Sequence, residues 1–166
     1  EAAIENGAKT VPGVRIATVS EDDLGVATLM VTDADGNSTL QMVADVEAGL
    51  PQWRAVGTHI EVVGGHPALV DLRLGLKTTV GFDVDAVAPI LIAAVETRLK
   101  RLGVGEALYQ DMVIGAIVPL YPDDILKVTF LATNVNGAPV DENVDPIPMG
   151  EAMVVRPGTI TVEKVP

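Results

Sequence analysis

Ser20, Ser38, His59 and His66 are the residues from which a hydroxyl nucleophile and its base could be assembled, with aspartates available as the third member. A serine hydrolase raises its serine on a sharp strand-to-helix turn, the G-x-S-x-G elbow, so that the hydroxyl projects toward an imidazole. Neither serine sits in such a turn. His59 and His66 are also the only start of a metal pair, but Gly64-Gly65 falls between them and neither flanking strand pattern supplies the convergent carboxylate that a zinc site needs. Asp22-Asp23 and Asp123-Asp124 are adjacent carboxylates. Neighbours in an extended turn point apart, whereas a general acid–base pair faces across a cleft.

Asp33-Ala34-Asp35-Gly36-Asn37 has the closely spaced carboxylates and turn glycine of a calcium loop. An EF-hand loop closes on a bidentate glutamate at its twelfth position, which here is Ala44, and its glycine comes later than Gly36 does. The cluster therefore reads as a tight turn leading into a helix cap. Gly103-Val104-Gly105 follows a helix, whereas a phosphate-binding loop follows a strand and opens a helix. The absence of cysteine excludes disulfides, thiolate metal sites and cysteine nucleophiles. The residues thus assign no catalytic, cofactor-binding or metal-binding position, and the chain reads as a non-enzyme.

Composition narrows the partners. The 166 residues are 48% hydrophobic, enough for a real core, and with two Phe, two Tyr and one Trp that core must be aliphatic. Acidic residues outnumber basic ones 23 to 11, a formal charge of −12. Binding to nucleic acid or to an anionic membrane surface needs the opposite balance, so neither is expected. No apolar run approaches bilayer-spanning length, so membrane insertion is not expected either. The chain starts at Glu1 rather than Met, which reads as a fragment or a processed product.

The elements follow from periodicity and breakers. Residues 1–13 form a short helical or irregular lead-in ending at Val11-Pro12-Gly13. Strands are expected at Val14–Val19 and Gly25–Thr32, joined by an acidic turn over Ser20–Asp23. Ser38 or Thr39 caps a helix whose Leu40, Val43, Ala44, Val46 and Leu50 share a face and which Pro51 ends or kinks. Trp53 reads as a packing anchor between helix and sheet. A strand at Thr58–Val63 leads to a flexible joint at Gly64-Gly65, a lobe boundary.

The long strand Ala68–Val80 alternates Leu72, Leu74 and Leu76 inward against Asp71, Arg73, Gly75 and Lys77 outward. Phe82–Glu106 is the best-patterned helix: Val84, Val87, Ala88, Leu91, Val95, Leu99 and Leu102 make one apolar stripe. Asp83 and Asp85 suit its positive end, Arg98, Lys100 and Arg101 its negative end, and Gly103 suits a left-handed stop. A short helix at Tyr109–Val118 and a strand at Ile125–Ala132 follow. Residues 134–149 read as a long exposed loop, and 153–165 as one or two short strands broken at Pro157-Gly158. Strand, Asp-containing turn, helix, glycine-rich turn and strand occur in that order twice, the pattern of a duplication. The predicted class is α+β in two small lobes, 14–65 and 66–166, each with a few mixed or antiparallel strands packed on one or two helices.

In this order the pieces resemble the baseplate J-like proteins, wedge components of tailed-phage baseplates, over about Gly25–Val162. The strand ending V-x-D-x-x-G is Val31 to Gly36, and the turn and strand R-x-x-G-t-x-h-x-V is Arg54 to Val62. The G-x-D helix entry is Gly81-Phe82-Asp83, and the exit l-x-x-G-e-x-h is Leu102 to Leu108. The family's G-V-x-d-V turn is replaced by Pro122-Asp123-Asp124-Ile125 before Leu126-Lys127-Val128. Members usually extend further at the N-terminus, so the resemblance places this chain as a C-terminal portion. It implies a non-enzymatic virion protein, made in the host cytoplasm, that binds copies of itself and neighbouring baseplate and tail proteins and carries no catalytic residue or cofactor. The contact surfaces it suggests are the loop at 134–149, an unpaired strand edge and the acidic faces. A different reading of the same residues is a cell-surface or adhesive binding module whose acidic turn at Asp33–Asn37 holds a cation.

Overall fold

A computed structural model describes residues 2–21, 26–54, 59–103, 105–141, 144–147 and 153–166. Among them four α-helices and seven strands form an α+β fold of two small lobes, each built on a mixed sheet. The first lobe holds the described residues up to Pro67 together with Gly103, Gly105, Met153 and Val154; the remainder form the second. Where the sequence suggests an unbroken second lobe over 66–166, these short pieces group with the first.

The first lobe contains α1 (Ala2–Ala8), β1 (Ile16–Glu21), β2 (Ala27–Thr32), α2 (Leu40–Trp53) and β3 (Ile60–Gly64). The Val/Leu/Thr-rich β2 is central: β1 pairs antiparallel to it, from Ile16↔Thr32 to Glu21↔Ala27, and β3 parallel, from Ala27↔Ile60 to Val31↔Gly64. Parallel neighbours need a crossover, and α2 supplies it. Successive side chains of a strand point to opposite faces. Leu29 and Val31 accordingly join Ile60 and Val62 under Met42, Val46 and Leu50 of α2, while Met30 packs on the other face with Ile16, Val63 and Val154.

Thr39 caps α2, its Oγ1 accepting the Met42 amide at 3.1 Å. The buried row is Met42, Val46 and Leu50, spaced by four; Leu40 is 91% exposed and Ala44 is exposed, contrary to the face expected from sequence. Pro51 lies in the last turn, where its missing donor forfeits one intrahelical bond and the helix continues to Trp53. Trp53 is an anchor between two helices rather than helix and sheet. Its ring lies against Gly7 of α1 and Gly49 of α2, so closely that a Cβ on either glycine would overlap the indole. The joint at Gly64-Gly65 is tied rather than free. The Gly65 amide donates to the Val31 carbonyl at 3.2 Å, and its carbonyl accepts from Ser38 Oγ at 3.0 Å.

The second lobe is organised on β4 (His66–Thr78) and α3 (Val84–Leu99), followed by α4 (Gln110–Ile117), a 3-10 turn at Val118–Leu120, β5 (Ile125–Val135), β6 (Ala138–Val140) and β7 (Met153–Lys164). Its sheet runs β6-β5-β4-β7. The antiparallel β4–β5 ladder has two irregularities, between Arg73 and Leu74 and between Lys77 and Thr78, where Leu131 and Leu126 are the extra residues of β5. These bulges keep the burial in phase: Ile125, Val128, Phe130 and Thr133, spaced three, two and three, all oppose the inward positions Thr78, Leu76, Leu74 and Leu72. The leucine row of β4 is buried as expected, but Gly75 on the outer face is buried too, because the Leu131 and Val165 side chains lie over it.

Asp83 caps α3 by accepting the Asp85 and Ala86 amides at 3.1 and 3.2 Å. Val84, Leu91, Val95 and Leu99 are its buried row. The helix ends at Leu99 rather than near Gly103, since Arg101 and Leu102 donate to carbonyls three residues back, at 3.2 and 3.1 Å, and this tight turn returns Leu102 to the core. Residues 134–140 form a hairpin rather than a loop. β5 and β6 form a hairpin, Thr133↔Val140 to Val135↔Ala138, around Asn136-Gly137, both with positive φ (52° and 79°) as a type I′ turn requires. Ile147, also expected in an exposed loop, is 2% exposed and bridges Leu108. β7 runs unbroken through Pro157-Gly158. It is the sheet edge, where a proline sacrifices no ladder bond, and Gly158 leaves room for the Asp71 carboxylate, which accepts the Thr159 amide at 2.6 Å. The suggested duplication is absent from the topology: strand–helix–strand is parallel in the first lobe (β2–β3) and antiparallel in the second (β4–β5).

The hairpin turn yields a direct test. Asn136 Oδ1 accepts the Leu69 amide at 2.9 Å and its own amide donates to the Leu69 carbonyl at 2.8 Å. Asn136→Ala loses the side-chain bond and places an alanine in the left-handed region, an expected cost of about 1–2 kcal/mol. Asn136→Gly loses only the bond, and urea melts are expected to place it between alanine and wild type.

Candidate functional site

The residues first considered for catalysis do not converge. Ser20 lies in β1 opposite Thr28, Ser38 Oγ is engaged by the Gly65 carbonyl, and His59 and His66 are exposed, the latter opening β4. Among the described residues no hydrogen bond joins either serine to either histidine, and no three His, Asp or Glu side chains gather as a metal site. Asp33 Oδ1 accepts the Asp35 and Asn37 amides at 2.8 and 2.9 Å, so one carboxylate oxygen closes its own turn. Asp124 is similarly used: its Oδ1 accepts from Thr79 Oγ1 at 2.8 Å and its carbonyl accepts the Thr79 amide at 2.9 Å. Asp22-Asp23 and Val104 lie outside the described residues, as do Ala55–Thr58 of the expected turn.

The second lobe builds an open groove of about 620 Å³ between α3 and α4. Its floor is small, with Ala93, Ala94 and Thr97 from α3 and Gly115 and Ala116 from α4. A Cβ added at Gly115 would meet nothing within 4 Å, so the groove is open there. Small residues appear on this side because the large ones of both helices face the sheet: Leu91, Val95 and Leu99 of α3, and Val113 and Ile117 of α4.

Arg98 and Arg101 line the groove on the α3 side and Asp111 and Met112 on the other. The sequence placed Arg98, Lys100 and Arg101 together as partners of the helix dipole. The structure separates them: Lys100 pairs with Glu96 at 3.4 Å, whereas neither arginine forms an ion pair among the described residues. Thr97 Oγ1 is engaged with the Ala93 carbonyl at 2.7 Å, so the groove offers no free hydroxyl nucleophile at that position. Two exposed guanidiniums over a small-residue floor suit recognition of carboxylates. The signal in the sequence was the pairing of Ala93-Ala94 with Gly115-Ala116, which reads as packing until the two helices are seen side by side.

Among the described residues no helix is long and apolar enough to cross a membrane. No family model and no curated protein matches the chain.

Proposed function

We propose that this chain is a structural assembly module of a tailed-phage baseplate wedge, a non-enzymatic virion component that binds copies of itself and neighbouring baseplate proteins. The observation that carries the reading is where the residues of the resemblance sit. They set turns, caps and core positions. Asp33 closes its turn and Gly36 adopts φ +86°; Gly81 adopts φ +90° and Asp83 caps α3; Gly105 adopts φ +70° between Leu102 and Leu108, which are 5% and 0% exposed. Ile60 and Val62 of the second motif are in the first-lobe core. A pattern made of fold-determining residues fits a family related by architecture and not by a shared reaction.

The test is co-expression with the products of neighbouring tail genes. Co-purification in a defined complex is expected. A chain that stays monomeric at high concentration and joins no such complex overturns the reading.

A further inference from the structure

The α3–α4 groove has a complement elsewhere on the same chain. In α2, burial of Met42, Val46 and Leu50 turns Leu40, Ala44, Ala48 and Pro51 outward, all exposed. At 100° per residue these four fall within one quadrant of the helix surface, with Glu47 at one edge and Asp45 at the other. Both carboxylates are exposed, and Asp45 Oδ1 holds Gln41 Nε2 at 2.7 Å. No basic residue lies within α2; Arg54 follows as its C-cap. The helix thus presents a narrow, small, mostly apolar strip bordered by negative charge.

The groove presents the converse: a small-residue floor bordered by Arg98 of α3 and by Arg101 just beyond it, neither in an ion pair among the described residues, in a chain whose net charge is −12. Small residues on facing helices allow close approach of backbones, and ridge-in-groove packing brings axes to about 8–10 Å. The strip from Leu40 to Pro51 rises about 16 Å and α4 about 10 Å, so the strip is long enough to span the groove along α4. Asp111 gives the groove a polarity, favouring an orientation with the Glu47 edge along Arg98 and Arg101.

We infer that the α3–α4 groove receives the outer face of α2 from a second copy of this chain. The inference rests on the assembly reading above and names its self-contact. Because two different faces meet, each copy keeps one of each available, and the contact repeats from copy to copy, closing a ring or extending a filament according to the rotation between copies.

The experiment uses the full chain in two forms, one with Arg98→Glu and Arg101→Glu, the other with Ala44→Lys and Glu47→Lys. All four positions are exposed, and circular dichroism checks that each form folds. By sedimentation velocity, wild type is expected to self-associate and each form alone to be monomeric. An equimolar mixture is expected to regain association, since the intact α2 of one form meets the intact groove of the other and the reversed α2 meets the reversed groove. A chain carrying all four substitutions is expected to regain association through the reversed charges. Wild-type association unaffected by either pair overturns the inference and leaves the assembly reading standing. A wild type that is monomeric alone but joins neighbouring tail proteins does the same. A wild type that does neither overturns both.

Discussion

Leu91→Ala is expected to lower the stability of the second lobe by about 3–4 kcal/mol, within the range for large-to-small changes at closed core sites. Leu91 is 0% exposed and sits mid-way along the buried row of α3, facing a cluster that includes Leu72, Leu74, Leu76 and Phe130. Leucine and alanine have nearly equal helix propensity, so the backbone offers no compensation and the loss is that of transfer and cavity. Collapse around the hole is restrained because Val84 and the Asp83 cap fix one end of α3 and the tight turn to Leu102 fixes the other. The neighbouring Ile90 is 53% exposed, and Ile90→Ala is expected to stay within about 0.5 kcal/mol of wild type. The two hydrophobic clusters share no residue. Hydrogen exchange on Leu91→Ala is therefore expected to show lost protection in α3, β4 and β5 before β2 and β3. Equal loss in both lobes would show that they unfold as one unit.

What the sequence made legible was set by local rules. The stripe of α3, its Asp83 cap, the Thr39 cap of α2 and the leucine row of β4 follow from periods of 3.6 and 2 and from side chains that reach their own backbone. The misread places are those where a distant neighbour decides. Pro157-Gly158 breaks a strand by propensity, yet β7 continues because it is an edge and because Asp71 occupies the space Gly158 leaves. Ile147 reads as part of a polar loop, but its bridge to Leu108 and the bonds from Gln110 to Asp145 and Val144 hold it in the core. Asn136-Gly137 was the missed local signal: a two-residue hairpin turn whose strands are polar enough to resemble a loop. The groove was illegible for a further reason. Its floor is defined by small side chains, and a pattern of absences gains meaning only when two helices are placed together.

Gly49 and Gly115 both lie inside helices, and substitution by alanine is expected to move stability in opposite directions. Replacing a helical glycine gains about 1 kcal/mol from the unfolded chain's lost freedom. At Gly115 of α4 that gain stands alone, because the added methyl meets nothing within 4 Å. At Gly49 of α2 the methyl overlaps the six-membered ring of the Trp53 indole, whose five-membered ring rests on Gly7, so both rings are held at close contact. Overpacking costs about 1–3 kcal/mol, and an indole forced from its seat also loses part of its buried area. The second effect wins: Gly49→Ala is expected to be destabilised by about 1–2 kcal/mol while Gly115→Ala is stabilised by up to about 1 kcal/mol. Trp53 is the only tryptophan, so its emission reports the cause directly. A red shift in folded Gly49→Ala and in Gly7→Ala, with none in Gly115→Ala, is the expected result. Unchanged emission with a net gain in stability at Gly49 would mean that α1 moves aside to accommodate the ring, and that the contact between the two helices is looser than the seat of Trp53 implies.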